Sequence, residues 1–162
     1  MYIVKRFSFW QQWLFYSSIL FALFGIVFAL YGGNPLFSYY NDALATIFWN
    51  QDKLSGPSES FRKFIWAPLG GTIACCYILL AWIARYPFLK KEKWAWWATA
   101  TAFTTWIIID SAASLYYGVY FQVWLINAFS FLVKALPLAF TYKDFFSKRK
   151  YNSQQAFTAK RS

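Results

Sequence analysis

The chain has 162 residues, which suits a single domain. Only 14% of them are charged and 59% are hydrophobic, whereas soluble domains carry about a quarter charged residues, so a water-covered globule is excluded. The net charge of +10 would point to nucleic acid in a soluble protein, but here the basic residues flank apolar runs. There they set topology and meet anionic lipid headgroups, so membrane lipids are the expected partners and nucleic acid is not.

Four apolar runs reach the roughly 20 residues that a helix needs to cross the hydrocarbon core. They cover 13–31, 64–84, 94–117 and 119–142. Each must be helical, because an open strand in lipid leaves backbone groups unpaired. The expected fold is therefore an all-α integral membrane protein, a four-transmembrane-helix bundle over 1–146 with a long outer loop between helices 1 and 2. A basic tail, 147–162, follows and is expected to be disordered.

The first run has a basic start, Lys5 and Arg6, but it is long for a signal peptide and lacks a small-residue cleavage site, so it reads as a retained anchor. The loop after it holds Tyr40, Leu44, Ile47 and Phe48 at helical spacing, which predicts a short amphipathic helix over 39–49. Ser58 is placed to cap the second span. Within that span Pro68, Gly70 and Gly71 permit either a broken helix or a kink with close packing. Gly25, Ala29 and Gly33, and Gly70 and Ala74, repeat every four residues and form faces where helices approach. Those faces would serve packing within the chain, a homo-oligomer or another membrane protein. Cys75 and Cys76 are adjacent, so no disulfide framework follows.

Trp94, Trp96 and Trp97 follow the basic stretch Lys90 to Lys93 and read as an interfacial anchor. The third and fourth runs are nearly continuous, which predicts a tight helical hairpin. Pro137 is expected to kink the fourth span. Of the Lys and Arg residues outside the spans, 12 fall at the N-terminus, in the second loop or in the tail. Three, Lys53, Arg62 and Lys63, fall in the first loop. Basic loops stay inside, so both termini are expected to be cytoplasmic, in a plasma or bacterial inner membrane.

Asp110 is the main candidate for chemistry. A charged side chain in hydrocarbon costs about 2.5–3.5 kcal/mol on insertion scales, so it should face protein or a wet cavity. Ser114 and Tyr117 follow at i+4 and i+7 on the same face. Asn127 in the fourth span offers a hydrogen bond, and Arg62 is the expected ionic partner because its fork suits a carboxylate. Lys134 lies about 16 Å deeper by helical rise, too far for a salt bridge, and is expected to snorkel toward the cytoplasmic headgroups.

The chain has no histidine, which removes the usual general base and the commonest metal ligand. No Cys-x-x-Cys and no glycine-rich phosphate loop is present. No cofactor and no metal is expected, and an enzyme would have to use Asp110 as its sole acid or base. The expected function is binding or transport of a small apolar or amphiphilic ligand, such as a lipid, in an outward-facing cavity. Asp110, Ser114, Tyr117, Asn127, Arg62 and Trp106 would line it. The alternative is a structural or accessory subunit of a larger membrane complex.

Overall fold

A computed structural model describes residues 2–147, with side chains from Arg6 onward. The tail, expected to be disordered, lies outside the described residues apart from Ser147. Every element among the described residues is helical. These are α1 (Tyr2–Tyr31), a single 3-10 turn at Pro35–Phe37, α2 (Ser38–Trp49), α3 (Gly56–Arg85), α4 (Lys93–Tyr116), a π-helical turn at Gln122–Asn127, and α5 (Ala128–Phe146).

Among the described residues, three helices are long and apolar enough to cross a membrane: Arg6–Tyr31, Gly56–Arg85, and the π turn with α5 as one unit, Gln122–Phe146. Their outward faces are apolar, with Leu20, Leu30, Leu79 and Leu132 all more than half exposed. Such a continuous exposed apolar face suits lipid rather than water. Helix α4 has 24 residues, but four threonines, four tryptophans and Asp110 leave it less apolar.

The helices extend beyond the apolar runs. Helix α3 begins at Gly56, eight residues before the expected start of the span, and Ser55 rather than Ser58 stands at the N-cap. Pro57 has its φ pre-set for the first turn, and Glu59 pairs with Lys63 one turn on at 2.6 Å. Hydropathy does not register such polar helix-forming signals. Helix α2 forms where its apolar spacing predicts.

Helix α1 packs along α3, while α4 packs on α5, and α5 joins the pairs through α1. The α1–α3 contact is backbone against backbone. A Cβ at Gly70 would stand 2.5 Å from Ala29 N and from Gly25 O. Helix α3 is unbroken through Pro68, so Gly70 serves close approach and not a discontinuity. Helix α5 also continues through Pro137. Proline cannot donate to the carbonyl four residues back, here that of Val133. That carbonyl accepts instead from the Trp13 indole on α1 at 3.1 Å.

The apolar core sits at the end of the bundle that carries the α3–α4 turn. Phe7, Phe88 and Phe145 pack together there, with ring centroids 4.7–6.2 Å apart, over Leu14, Leu80, Ala84, Ala95 and Leu138. At the opposite end Asn41 ties α2 down. It donates to Gly32 O at 2.8 Å and accepts from the Trp66 indole at 3.1 Å. Gly118, with φ at +74°, turns the chain between α4 and the last helix, confirming a tight hairpin.

Candidate functional site

The buried face of α5 and its π turn carries four polar residues beside the apolar Pro137, Leu138 and Phe145. Asn127, Ser130, Lys134 and Thr141 are all buried, three, four and seven residues apart, as on one helix face. Two groupings stand on this stripe.

The first lies near α2 and centres on Asp110. Asn127 Nδ2 donates to Asp110 Oδ2 at 2.5 Å and to Ser111 Oγ at 3.1 Å. Gln122 Nε2 lies 3.4 Å from both Asp110 Oδ2 and Asn127 Oδ1. The π turn makes this possible. Residues five apart on an α-helix point about 140° away from each other. Between Gln122 and Asn127 the backbone winds more widely, the Ala128 N–H reaching back five residues to Val123 O, so both amides turn toward α4. Single π turns inside α-helices are rare and recur at functional sites.

Helix α2 covers this grouping. The Tyr40 and Phe121 rings are 5.5 Å apart, and Phe48 reaches Tyr117 at 5.9 Å. The Tyr40 phenol is pushed up to about 12, first by burial and then by the negative charge of Asp110.

The second grouping surrounds Lys134, which is fully buried. Its ammonium donates to Ser17 Oγ at 2.8 Å and lies 4.6 Å and 4.9 Å from the Phe21 and Tyr77 ring centroids. The expectation that Lys134 snorkels to the headgroups is corrected. Its stem is enclosed by α1 and α3, which supply a hydroxyl and two ring faces in place of water.

Of the six residues expected at the site, the structure joins Asp110 and Asn127. The expected Asp110–Arg62 pair does not form. Among the described residues the ion pairs are Glu59–Lys63 and Lys91–Asp144. Arg62 rides on α3, which packs against α1, whereas Asp110 is on α4, held by α5. Arg62 Nε is buried without a hydrogen-bond partner. Ser114 is buried but makes no side-chain bond to Asp110, Tyr117 is exposed, and Trp106 is half-buried with its ring 6.3 Å from Phe103. Ser111, Gln122 and Tyr40 enter the site unforeseen. Gln122 is a polar residue inside an apolar run, the same signal that singled out Asn127.

One cleft of about 280 Å³ lies beside Gly32, Gly33, Lys63 and Trp66, and an open one of about 400 Å³ beside Trp82, Tyr86, Lys90 and Trp94. Neither is lined by Asp110. No group of three or more His, Cys, Asp or Glu side chains gathers among the described residues. Compared with protein-family models, curated proteins and solved structures, the chain matches none of them.

Proposed function

We propose that this chain crosses a plasma or bacterial inner membrane four times, with α4 as the remaining span and both termini cytoplasmic. In that setting it binds or transports a small apolar or amphiphilic ligand in the α2-covered half of the bundle. The observation that carries the reading is the state of Asp110: a carboxylate inside a helical bundle whose bonded partners are neutral amides, not a cation. Intramembrane carboxylates are expensive to retain, which favours a functional role. A ligand's polar end would meet Asp110 and Asn127, with Trp106 beside them and α2 as the cover. Ser114 and Tyr117 follow Asp110 along the chain and belong to the surroundings of this site, whereas Arg62, on α3, forms no pair with Asp110.

The rival reading, an accessory subunit, relied on small-residue faces and on the outer loop. Gly25, Ala29, Gly70 and Ala74 are consumed in the α1–α3 contact, which weakens that reading.

The test is mass spectrometry of the molecules that co-purify with the full chain in mild detergent, for the wild type and for Asp110→Asn. A discrete small molecule held by the wild type and lost in the variant supports the proposal. Bulk lipid alone in both, with the variant still helical, refutes it.

A further inference from the structure

The α3–α4 turn carries a cleft that the Asp110 site does not use. Its volume of about 400 Å³ falls within the roughly 300–1,000 Å³ of small-molecule sites. The end of α3 and the start of α4 form its walls. Trp82, Tyr86 and Trp94 line it and are each more than half exposed. Lys90 and Glu92 line it too, so one cation and one anion share an aromatic cleft.

The turn that builds this cleft is firmly held. Phe88 is fully buried and packs against Phe7 and Phe145. The backbone amides of Lys90 and Glu92 donate to Tyr86 O at 3.1 Å and Pro87 O at 3.0 Å. Trp82 and Tyr86 stack with ring centroids 5.3 Å apart, and the Trp94 indole donates to Glu92 Oε2 at 2.6 Å. The rings and the carboxylate are thus in place before a ligand arrives, which lowers the entropy cost of binding.

We infer that this cleft binds the headgroup of a zwitterionic phospholipid, with its ammonium over the aromatic rings beside Glu92 and its phosphate toward Lys90. The inference goes beyond the Asp110 reading and takes only the membrane setting from it. Charge selects the zwitterion. A basic turn alone would favour anionic lipids. The other cations here are already engaged, however. Arg85 lies 5.9 Å from the Phe15 ring and Lys93 5.9 Å from the Phe146 ring, while Lys91 meets Asp144 at 3.3 Å. Lys90 and Glu92 have no ion-pair partner among the described residues, and their charges balance. A headgroup of zero net charge fits that pair, and its cation gains from the exposed tryptophan and tyrosine rings. The surface of α3 selects a lipid over a free solute. Ile78 and Leu79, one helical turn before Trp82, are exposed and apolar, and they give acyl chains a path along α3 from the cleft.

The experiment titrates the purified full chain, in an uncharged detergent, with dioleoyl phosphatidylcholine, phosphatidylethanolamine and phosphatidylglycerol. Native mass spectrometry reads the bound lipid, and circular dichroism checks that each variant is helical. The expected result is a saturable adduct with both zwitterionic lipids and weaker binding of phosphatidylglycerol. Trp82→Ala and Glu92→Gln should each weaken the zwitterionic adduct about fivefold or more. Trp97→Ala, an exposed tryptophan of α4 outside the cleft, should leave it unchanged. Glu92→Gln keeps an acceptor for the Trp94 indole and decides the matter alone should Trp82→Ala fail to fold. Phosphatidylglycerol bound as tightly, an equal loss in Trp97→Ala, or binding unchanged in the folded cleft variants overturns the inference. Soluble phosphocholine bound as tightly as phosphatidylcholine overturns the assignment to a lipid. A zwitterionic lipid lost in Asp110→Asn but kept in Trp82→Ala overturns the inference while leaving the Asp110 reading standing. Loss in the cleft variants alone supports the headgroup site, whatever Asp110→Asn does to other molecules.

Discussion

Lys134 on α5 donates to Ser17 on α1 at 2.8 Å, and this hydroxyl is its one hydrogen-bond acceptor among the described residues. The ammonium has no carboxylate within 4.0 Å there, so its desolvation is offset only by Ser17 and the Phe21 and Tyr77 rings. A cation over an aromatic face gains about 2 kcal/mol when desolvated, less than the several kcal/mol of taking an ion out of water. Lys134 is thus a net cost to the fold. Lys134→Met, which keeps the stem volume and removes the charge, should raise stability by about 1–3 kcal/mol. Lys134→Ala should lower it by about 2–4 kcal/mol through the cavity left behind. Thermal unfolding in detergent reads both, and a melting temperature reduced by Lys134→Met would contradict the argument.

Neighbouring glycines on α3 should behave in opposite ways. A Cβ at Gly70 meets Ala29 and Gly25 backbone at 2.5 Å, and backbone cannot move aside as a side chain can. A Cβ at Gly71 meets nothing within 4 Å. Gly70→Ala should therefore force α1 from α3 and cost about 2 kcal/mol or more. Gly71→Ala should be neutral or stabilising by up to about 1 kcal/mol, from helix propensity alone. The comparison of their melting temperatures is internally controlled, since composition changes identically. Equal effects would mean that α1 and α3 do not touch at Gly70.

These cases show what the sequence makes legible. Apolar runs and helical spacing locate the helices, α2 included, because burial and lipid exposure both select for them. The four-residue repeat of Gly25, Ala29, Gly70 and Ala74 marks a contact that the structure contains. Rotation of one helix against another is not written in hydropathy. For that reason Arg62 is expected beside Asp110 yet lies on the other helix pair, and Lys134 is expected at the surface yet points at Ser17. The π turn escapes for a related reason: one extra residue in a turn leaves composition unchanged, yet it alone brings Gln122 round to Asn127 and Asp110.

The Tyr40 phenol gives a pH signature that reports on the same site. Its ionisation is raised from 10.0 to about 12 in the folded chain. Below pH 10 the phenol is neutral in both states and the stability it contributes is complete. Between pH 10 and about 12 the unfolded chain ionises first, so stability falls as pH rises through this window. Tyr40→Phe cannot ionise and should lose less stability there, by an amount on the order of 2 kcal/mol. Asp110→Asn should lower the Tyr40 titration, because the Asp110 charge is the second cause of the shift. Absorbance of tyrosinate, taken as wild type minus Tyr40→Phe, measures it. A Tyr40 midpoint unchanged by Asp110→Asn would place the two groups out of electrostatic reach.

The number of crossings turns on α4, which is long enough to span but carries Asp110, four threonines and four tryptophans. With α4 in the bilayer, residues beside its two ends emerge on opposite sides of the membrane and the chain termini emerge on the same side. With α4 left at a surface, only three crossings remain and the termini part. A natural-cysteine-free chain carrying one cysteine at position Ser55, Lys90, Gly118 or Ser147 separates the cases, using a membrane-impermeant maleimide on intact cells. The four-span reading expects labelling from outside at Ser55 and Gly118 and protection at Lys90 and Ser147. This follows from the 12 basic residues at the N-terminus, the second loop and the tail, against three in the first loop. Labelling of Ser147 together with Ser55 would leave three crossings and a tail outside. The lone carboxylate of Asp110 would then lie in headgroup water, which would withdraw the physical reason for treating it as a site.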